Sequence, residues 1–140
     1  MVVIVIIGIL VSIALPNFIG AQDRAKISTV KSNMHLFQNM AETYSIDWGG
    51  LNARTVEELY NEANQNEYNY WKDFTNPFLN SSGPGGSYTN ETGTKQQGII
   101  SWDVSGSPIG GPVTTYYIYG YGSAAERIQL KGTDFYLTNS

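Results

Sequence analysis

The chain has 140 residues, which suits one domain with a modest core, and it contains no cysteine, which excludes disulfides, thiolate nucleophiles and thiolate metal ligands. Its formal net charge is -4 and only 14% of its residues are charged. This balance argues against nucleic acid as a specific ligand, because proteins that bind nucleic acid normally present a basic face.

The first 22 residues carry no charged side chain. Residues 1–15, MVVIVIIGILVSIAL, are apolar on every face, and a helix of this composition needs apolar surroundings. Continued through Pro16 and Phe18 to Ala21, the helix reaches the about 20 residues that cross a bilayer core. The segment is therefore predicted to be a membrane anchor.

Two other interpretations of this segment fit less well. A cleaved signal peptide needs a basic region before the apolar run and a small-residue cleavage site after it, and neither is evident. A buried helix of a soluble domain would need protein on all sides, which so small a chain does not supply. Because the sequence starts inside the apolar run, we expect it to be truncated before Met1.

Gly8 and Pro16 are the two weak points of the predicted helix. Proline removes a backbone donor and clashes with the preceding turn. Glycine costs about 1 kcal/mol relative to alanine. We expect the stretch between them to bend or unwind most easily.

An amphipathic pattern follows the apolar run. Apolar residues recur at alternating steps of three and four, which predicts one helix continuing to about Ile46 and ending at the WGG of residues 48–50. The only histidine, His35, lies beside this stripe without a cysteine to assist it, so neither a metal site nor catalysis is expected. The stripe consists of Ile27, Val30, Met34, Phe37, Ala41 and Tyr44.

The N-terminal segment MVVIVIIGILVSIALPNFIGAQDRAK resembles that of type IV pilins and type II secretion pseudopilins. The shared features are the β-branched run, GIL at residues 8–10 and ALPNF at residues 14–18. The resemblance covers the first 26 residues and is specific for the superfamily rather than for one member. The family's leader peptide, its aromatic first residue and its glutamate that registers neighbouring subunits have no counterpart in this sequence.

The resemblance implies an α+β pilin fold, in which a long N-terminal helix lies against a roughly four-stranded antiparallel sheet. It also implies anchoring in the inner membrane and extraction by pilus assembly machinery into a helical homopolymer outside the cell. Assembly would then use the apolar residues of the segment and its two weak points, namely Val2, Val3, Ile4, Val5, Ile6, Ile7, Gly8, Ile9, Leu10, Leu15, Pro16 and Phe18.

The remaining chain is predicted to complete a globular part over residues 23–140, after the hydrophobic segment 1–22. Thr55 and Glu58 form a capping-box pattern for a short helix over residues 56–63. Residues 81–98 lack apolar periodicity and are predicted to be an exposed loop. Strands are predicted at 99–104, 113–121, 127–130 and 134–138, joined as an antiparallel meander.

Few other residues indicate chemistry. Asp103 and Asp134 are weak calcium candidates, and turn capping explains them equally well. Asn80 and Asn90 match the N-x-S/T acceptor pattern for glycosylation. Ten tyrosines and three tryptophans are compatible with sugar stacking or electron transport, although half-buried sheet and subunit interfaces account for them more simply. No cofactor is expected.

The favoured hypothesis is a major pilin, a structural subunit of an extracellular type IV filament that is anchored in the inner membrane before assembly. The first alternative is a major pseudopilin of a type II secretion system. The absence of an Asp-rich calcium loop and the long polar stretch 81–98 count against it. The second alternative is a membrane-anchored surface binding module that never polymerises.

Overall fold

A computed structural model describes residues 1–65, 67–105 and 109–139. Two helices, α1 (Val2–Asp47) and α2 (Val56–Ala63), precede all the strands. The protein therefore belongs to the α+β class. The strands are β1 (Tyr88–Asn90), β2 (Ile100–Asp103), β3 (Tyr117–Gly120), β4 (Gln129–Leu130), β5 (Thr133–Asp134) and β6 (Tyr136–Thr138).

The second half of α1 supplies one side of the core. Val30, Met34 and Phe37 are fully buried, and Ala41 and Tyr44 are almost so. Ile27 packs against the edge of the same cluster. The stripe read from the sequence is confirmed, because a spacing of three and four places these residues on one helix face.

The end of α1 follows the prediction closely. The Trp48 N–H donates to the Tyr44 carbonyl at 3.0 Å, and the Gly50 N–H donates to the Ser45 carbonyl at 2.7 Å. Gly49 and Gly50 adopt φ values of 64° and 91°, in the left-handed region that favours glycine. The two glycines therefore allow the chain to turn back towards α2.

The main sheet has the strand order β1-β2-β3-β6 and is mixed. β2 pairs antiparallel with β3, and β3 with β6, but β1 pairs parallel with β2 through the register Tyr88 to Ile100. The prediction of a purely antiparallel sheet is therefore wrong. Its error lies in the stretch 81–98, where a strand occupies residues assigned to an exposed loop.

Tyr88 explains why that stretch contains a strand. Its side chain is 4% exposed, and its ring lies 5.3 Å from that of Trp71 and 5.8 Å from that of Phe74. Within residues 81–97 only Ser87 and Tyr88 are buried, so one large aromatic residue attaches this stretch to the core. A single residue produces no periodicity in the sequence, however.

The meander also differs from the prediction. β4 and β5 form a separate two-stranded hairpin, and β6 rather than β4 lies beside β3. The predicted strand 113–121 forms a strand only over Tyr117–Gly120, followed by an isolated bridge between Tyr121 and Arg127. Tyr116 precedes β3 but is fully buried, with its ring stacked on Trp102 at 4.5 Å. The aromatic residue at position 116 is thus explained by ring packing in the core rather than by strand pairing.

An aromatic cluster around Phe37 joins α1 to the rest of the core. The Phe37 ring meets those of Trp71, Phe74 and Trp102 edge to face, with centroids 5.7–6.1 Å apart. Such pairs contribute about 0.5–1.5 kcal/mol each beyond the burial of their area. The globular part thus holds the second half of α1 firmly.

Candidate functional site

The first half of α1 is an exposed apolar surface. From Val2 to Ile19 its large apolar side chains are 51–73% exposed, and none of them contacts the sheet. The helix is long and apolar enough to cross a membrane. Its first 22 residues would span about 33 Å at 1.5 Å per residue, close to the thickness of a hydrocarbon core.

The structure places all the predicted assembly residues on this one continuous helix. They cover every face of it, from Val2 to Phe18, so no side of the segment is reserved for the globular part. Val11, Ile13 and Ile19 are equally exposed and belong to the same surface, although the prediction from the sequence did not include them. The unbroken apolar run would have identified them.

Gly8 and Pro16 lie inside this helix without interrupting it. The side-chain amide of Asn17 donates to the Ile13 carbonyl at 3.2 Å, next to the gap that the proline leaves in the hydrogen-bond ladder. Apart from its chain neighbours and the local helix backbone, a Cβ added to Gly8 would meet no described atom within 4 Å. No contact among the described residues explains this glycine. That the stretch between Gly8 and Pro16 bends or unwinds easily stays a prediction.

Two lysines mark the transition from the apolar segment to the globular part. Lys26 Nζ lies 5.2 Å from the Phe78 ring centroid, and Lys31 Nζ lies 4.8 Å from that of Phe135. Each cation rests on an aromatic face, which contributes about 0.5–1 kcal/mol at an exposed site. The ammonium groups thus help to hold α1 where it enters the core.

The calcium candidates lie on different strands with different partners. Asp103 ends β2, is 8% exposed, and accepts hydrogen bonds from the backbone and the hydroxyl of Ser105 at 2.6 and 2.8 Å. Asp134 on β5 pairs with Arg127 at 3.3 Å. Within the described residues no three His, Asp or Glu side chains are grouped as metal ligands.

The glycosylation candidates differ in their surroundings. Asn80 is exposed directly after the turn at residues 77–79, with φ 52°. Asn90 instead accepts a hydrogen bond from the Val56 N–H at 2.9 Å and donates from Nδ2 to Glu57 at 2.9 Å. Asn90 therefore caps α2 from a distant strand, a role that its sequence pattern did not indicate.

The remaining candidates lie on the surface. His35 is exposed on α1. Tyr117, Tyr119 and Tyr136 form an aromatic cluster on the sheet, with ring centroids 5.6–6.4 Å apart. Arg127 lies 3.8 Å from the Tyr119 ring centroid and pairs with Glu91 at 3.0 Å. A packed sheet surface accounts for this arrangement without a ligand.

Comparison of the chain with known protein families, with curated proteins and with solved structures found no match. The likeness to pilins therefore rests on the N-terminal segment of the sequence and on the architecture. A long N-terminal apolar helix followed by a small sheet is consistent with a pilin-like fold. The apolar helix could also anchor the chain in a membrane.

Proposed function

We propose that this protein is a structural subunit that polymerises into an extracellular type IV pilus filament through the first half of α1. The supporting observation is the contrast within one helix. Large apolar residues from Val2 to Ile19 are more than half exposed, whereas Val30, Met34 and Phe37 are fully buried. The first half needs an apolar environment that the chain itself does not provide.

Two environments meet this need in succession. Before assembly, the apolar segment crosses the inner membrane. In the filament, the same segment packs against the corresponding helices of other subunits. Burial at about 25 cal/mol per Å² is worth tens of kcal/mol gross, but most of this replaces lipid contact, so packing between helices decides the net gain.

Gly8 supports close packing of this kind. Small residues at helix interfaces let two backbones approach each other. Because no described atom outside the local helix backbone lies within 4 Å of a Cβ at Gly8, an approaching helix is a physical reason for the missing side chain. We propose that Gly8 lies at a contact between subunits.

Electron microscopy tests the proposal. Surface material sheared from cells that express the native gene should contain long filaments in which mass spectrometry identifies this chain. Short periplasmic assemblies would instead favour the pseudopilin. A chain that remains monomeric in the membrane fraction would overturn polymerisation and favour the anchored binding module.

A pair of variants tests the assembly surface. Gly8→Leu should reduce filament yield by interfering with close helix approach, whereas Val5→Leu, which exchanges one apolar residue for another in the same segment, should not. Near-ultraviolet circular dichroism of both variants should match the unchanged protein, because residues after Ile27 form the core. Normal filaments from Gly8→Leu would contradict the proposed contact.

A further inference from the structure

A turn formed by residues 77–79 lies where the globular part adjoins the apolar segment. Higher on α1, the Asn33 Nδ2 donates to the Thr75 carbonyl at 3.1 Å. Lower on α1, Lys26 Nζ lies 5.2 Å from the Phe78 ring centroid. From Thr75 to Phe78 the chain thus descends along about two turns of α1, roughly 10 Å, towards the apolar half of the helix.

Leu79 is an exposed apolar residue on a turn that is held firmly. Its side chain is 45% exposed and takes no part in the core. The N–H groups of Phe78 and Leu79 both donate to Oδ1 of Asn76, which is fully buried. The Asn76 Nδ2 donates in turn to the carbonyls of Gly86 and Gln97. These bonds keep Leu79 at the surface, where no described residue covers it.

The same part of α1 carries three cations. Arg24, Lys26 and Lys31 form no ion pair and no hydrogen bond through their charged groups with any residue that the structure describes. Two carboxylates offset part of this charge, namely Asp23 on α1 and Glu126, which lines a cavity together with Lys31. Three cations against two carboxylates leave a small positive excess, and the cations are free to bind phosphate.

Helix geometry places these groups at the level of lipid headgroups. When Ala21 lies at the edge of the hydrocarbon core, Arg24 lies about 4.5 Å and Lys26 about 7.5 Å beyond that edge. The headgroup layer outside the core is about 5–8 Å thick. Long side chains on a helix point back towards its N-terminus, so the Lys26 ammonium group and the Phe78 ring beside it lie within this layer.

We propose that the turn 77–79 and Lys26 form a second membrane contact, which binds the phospholipid headgroup layer while the chain is anchored. Leu79 packs against the glycerol backbones of the lipids. Lys26 donates to a lipid phosphate, because its position over the Phe78 ring leaves its three N–H donors free. The proposal rests on the membrane anchoring included in the proposed function, but it does not depend on polymerisation.

Leucine methyl resonances of the full chain in lipid nanodiscs provide the test. The bilayer contains equal parts of phosphatidylcholine and phosphatidylglycerol, and nuclear Overhauser effects report which lipid protons touch each methyl group. Three leucines mark three levels: Leu10 in the apolar segment, Leu79 on the turn and Leu51 beyond the end of α1. Leu51 and Leu79 are 40% and 45% exposed, so exposure alone does not distinguish them.

We expect Leu79 to contact glycerol and headgroup protons, Leu10 to contact acyl-chain protons, and Leu51 to contact no lipid. Lipid contacts at Leu10 without any at Leu79 would overturn the second membrane contact and leave the anchoring intact. Their absence at both leucines would remove the anchoring and the proposal with it. Contacts of Leu79 with a second, differently labelled copy of the chain instead of lipid would assign the turn to subunit packing and overturn the proposal.

Matched variants test the lysine. Lys26→Gln should weaken the contacts between Leu79 and lipid at least about twofold, through the loss of attraction to phosphate. Lys72→Gln should not, because the Lys72 N–H donates to Met40, about 21 Å farther along α1 than Lys26. Unchanged methyl shifts of Leu59, which is fully buried, show that the core persists in both variants. Equal lipid contacts in Lys26→Gln and in the unchanged chain would exclude phosphate binding by this lysine and overturn the proposal.

Discussion

Gly120 of β3 lies directly against Met34 of α1. A Cβ built on Gly120 would be 2.6 Å from the Met34 sulfur and 2.9 Å from Cγ1 of Val30, both closer than a Cβ can approach. Met34 and Val30 are fully buried. The helix therefore approaches the sheet closely enough that no side chain fits between them at this point.

Gly120→Ala should accordingly destabilise the protein. Overpacking of a tight core costs about 1–3 kcal/mol, and the gain from a less flexible unfolded chain, about 0.4–1 kcal/mol, offsets only part of it. Thermal unfolding of the full chain in detergent measures the difference. Gly122→Ala is the control, because the nearest atom to its added Cβ is 3.9 Å away. Equal stability of the two variants would contradict the close contact.

Asn76 should be the most sensitive asparagine outside the helices. It is fully buried, its Nδ2 donates to the carbonyls of Gly86 and Gln97, and its Oδ1 accepts from the N–H groups of Phe78 and Leu79. Asn76→Ala leaves these four groups unpaired, and we expect a cost of at least about 3 kcal/mol. Chemical denaturation measures it.

Asn64→Ala is the matched control for Asn76→Ala. Asn64 is exposed, and its side chain makes one hydrogen bond of 3.3 Å, to the Tyr60 hydroxyl. Its replacement should change stability by no more than about 0.5 kcal/mol. A cost for Asn76→Ala as small as this would show that the amide does not hold its loops together.

The capping role of Asn90 predicts a dependence on pH. The amide of Asn90, which donates to Glu57, holds the pKa of that carboxyl below its ordinary value of 4.5. A carboxyl whose pKa is lower in the folded chain than in the unfolded chain stabilises the fold at pH above its unfolded pKa. This stabilisation is lost as pH falls through its folded pKa. In Asn90→Ala, nuclear magnetic resonance titration should show the Glu57 midpoint moving upward. An unchanged midpoint would exclude the amide as the cause.

Buried tyrosines predict a loss of stability in alkali. Burial raises the pKa of Tyr70 and of Tyr88 to about 12, and it raises the pKa of Tyr44 and Tyr116 as well. The unfolded chain loses these protons near pH 10. The stabilisation by the protonated tyrosines is therefore complete below about pH 10 and declines as pH rises towards their pKa values in the folded chain. Melting curves on both sides of pH 10 measure the decline.

Tyr88→Phe provides the control for the alkaline effect. The substitution keeps an aromatic ring beside Phe37, Trp71 and Phe74 but removes the ionisable hydroxyl. The loss of stability between about pH 9 and about pH 11 should therefore be smaller than in the unchanged protein. An identical loss would mean that Tyr88 does not contribute to it.

Local signals in the sequence predicted the helices well. The capping box places α2 at Val56–Ala63, with Thr55 accepting from the Glu58 N–H at 3.2 Å. The second half of the box differs slightly, because Glu58 accepts from the Arg54 N–H rather than from that of Thr55. The Thr55 cap and the hydrogen bond from Arg54 to Glu58 each join residues a few positions apart, so short-range sequence patterns are sufficient to predict the helix.

Long-range contacts were not predictable in the same way. Asn76 stands before a proline, a pattern that favours a turn. Nothing in this pattern shows that the amide reaches Gly86 and Gln97. Tyr88 likewise gave no sign that it would place a parallel strand beside β2. Their partners are distant in the chain, so only the fold brings them together.

The apolar segment and the contacts beyond the end of α1 differ in the same respect. Composition alone identifies the apolar segment from Val2 to Ile19, because a run without charges needs no tertiary information to be recognised. The contact of Asn52 with Val113, 61 residues later in the sequence, depends instead on the complete fold. In this region the sequence pattern, WGG at residues 48–50, predicts only the end of a helix.

Since α1 runs without a break from Val2 to Asp47, the angular orientation of the globular part follows from that of the apolar segment. One residue inserted between Gly20 and Asp23 would rotate the globular part by about 100° around the helix axis and displace it by about 1.5 Å. Seven inserted residues would nearly restore the original angular orientation of the globular part and place it about 10 Å farther along the axis. The number of residues between the apolar segment and the core therefore sets which surface of the globular part faces a given direction around the helix axis.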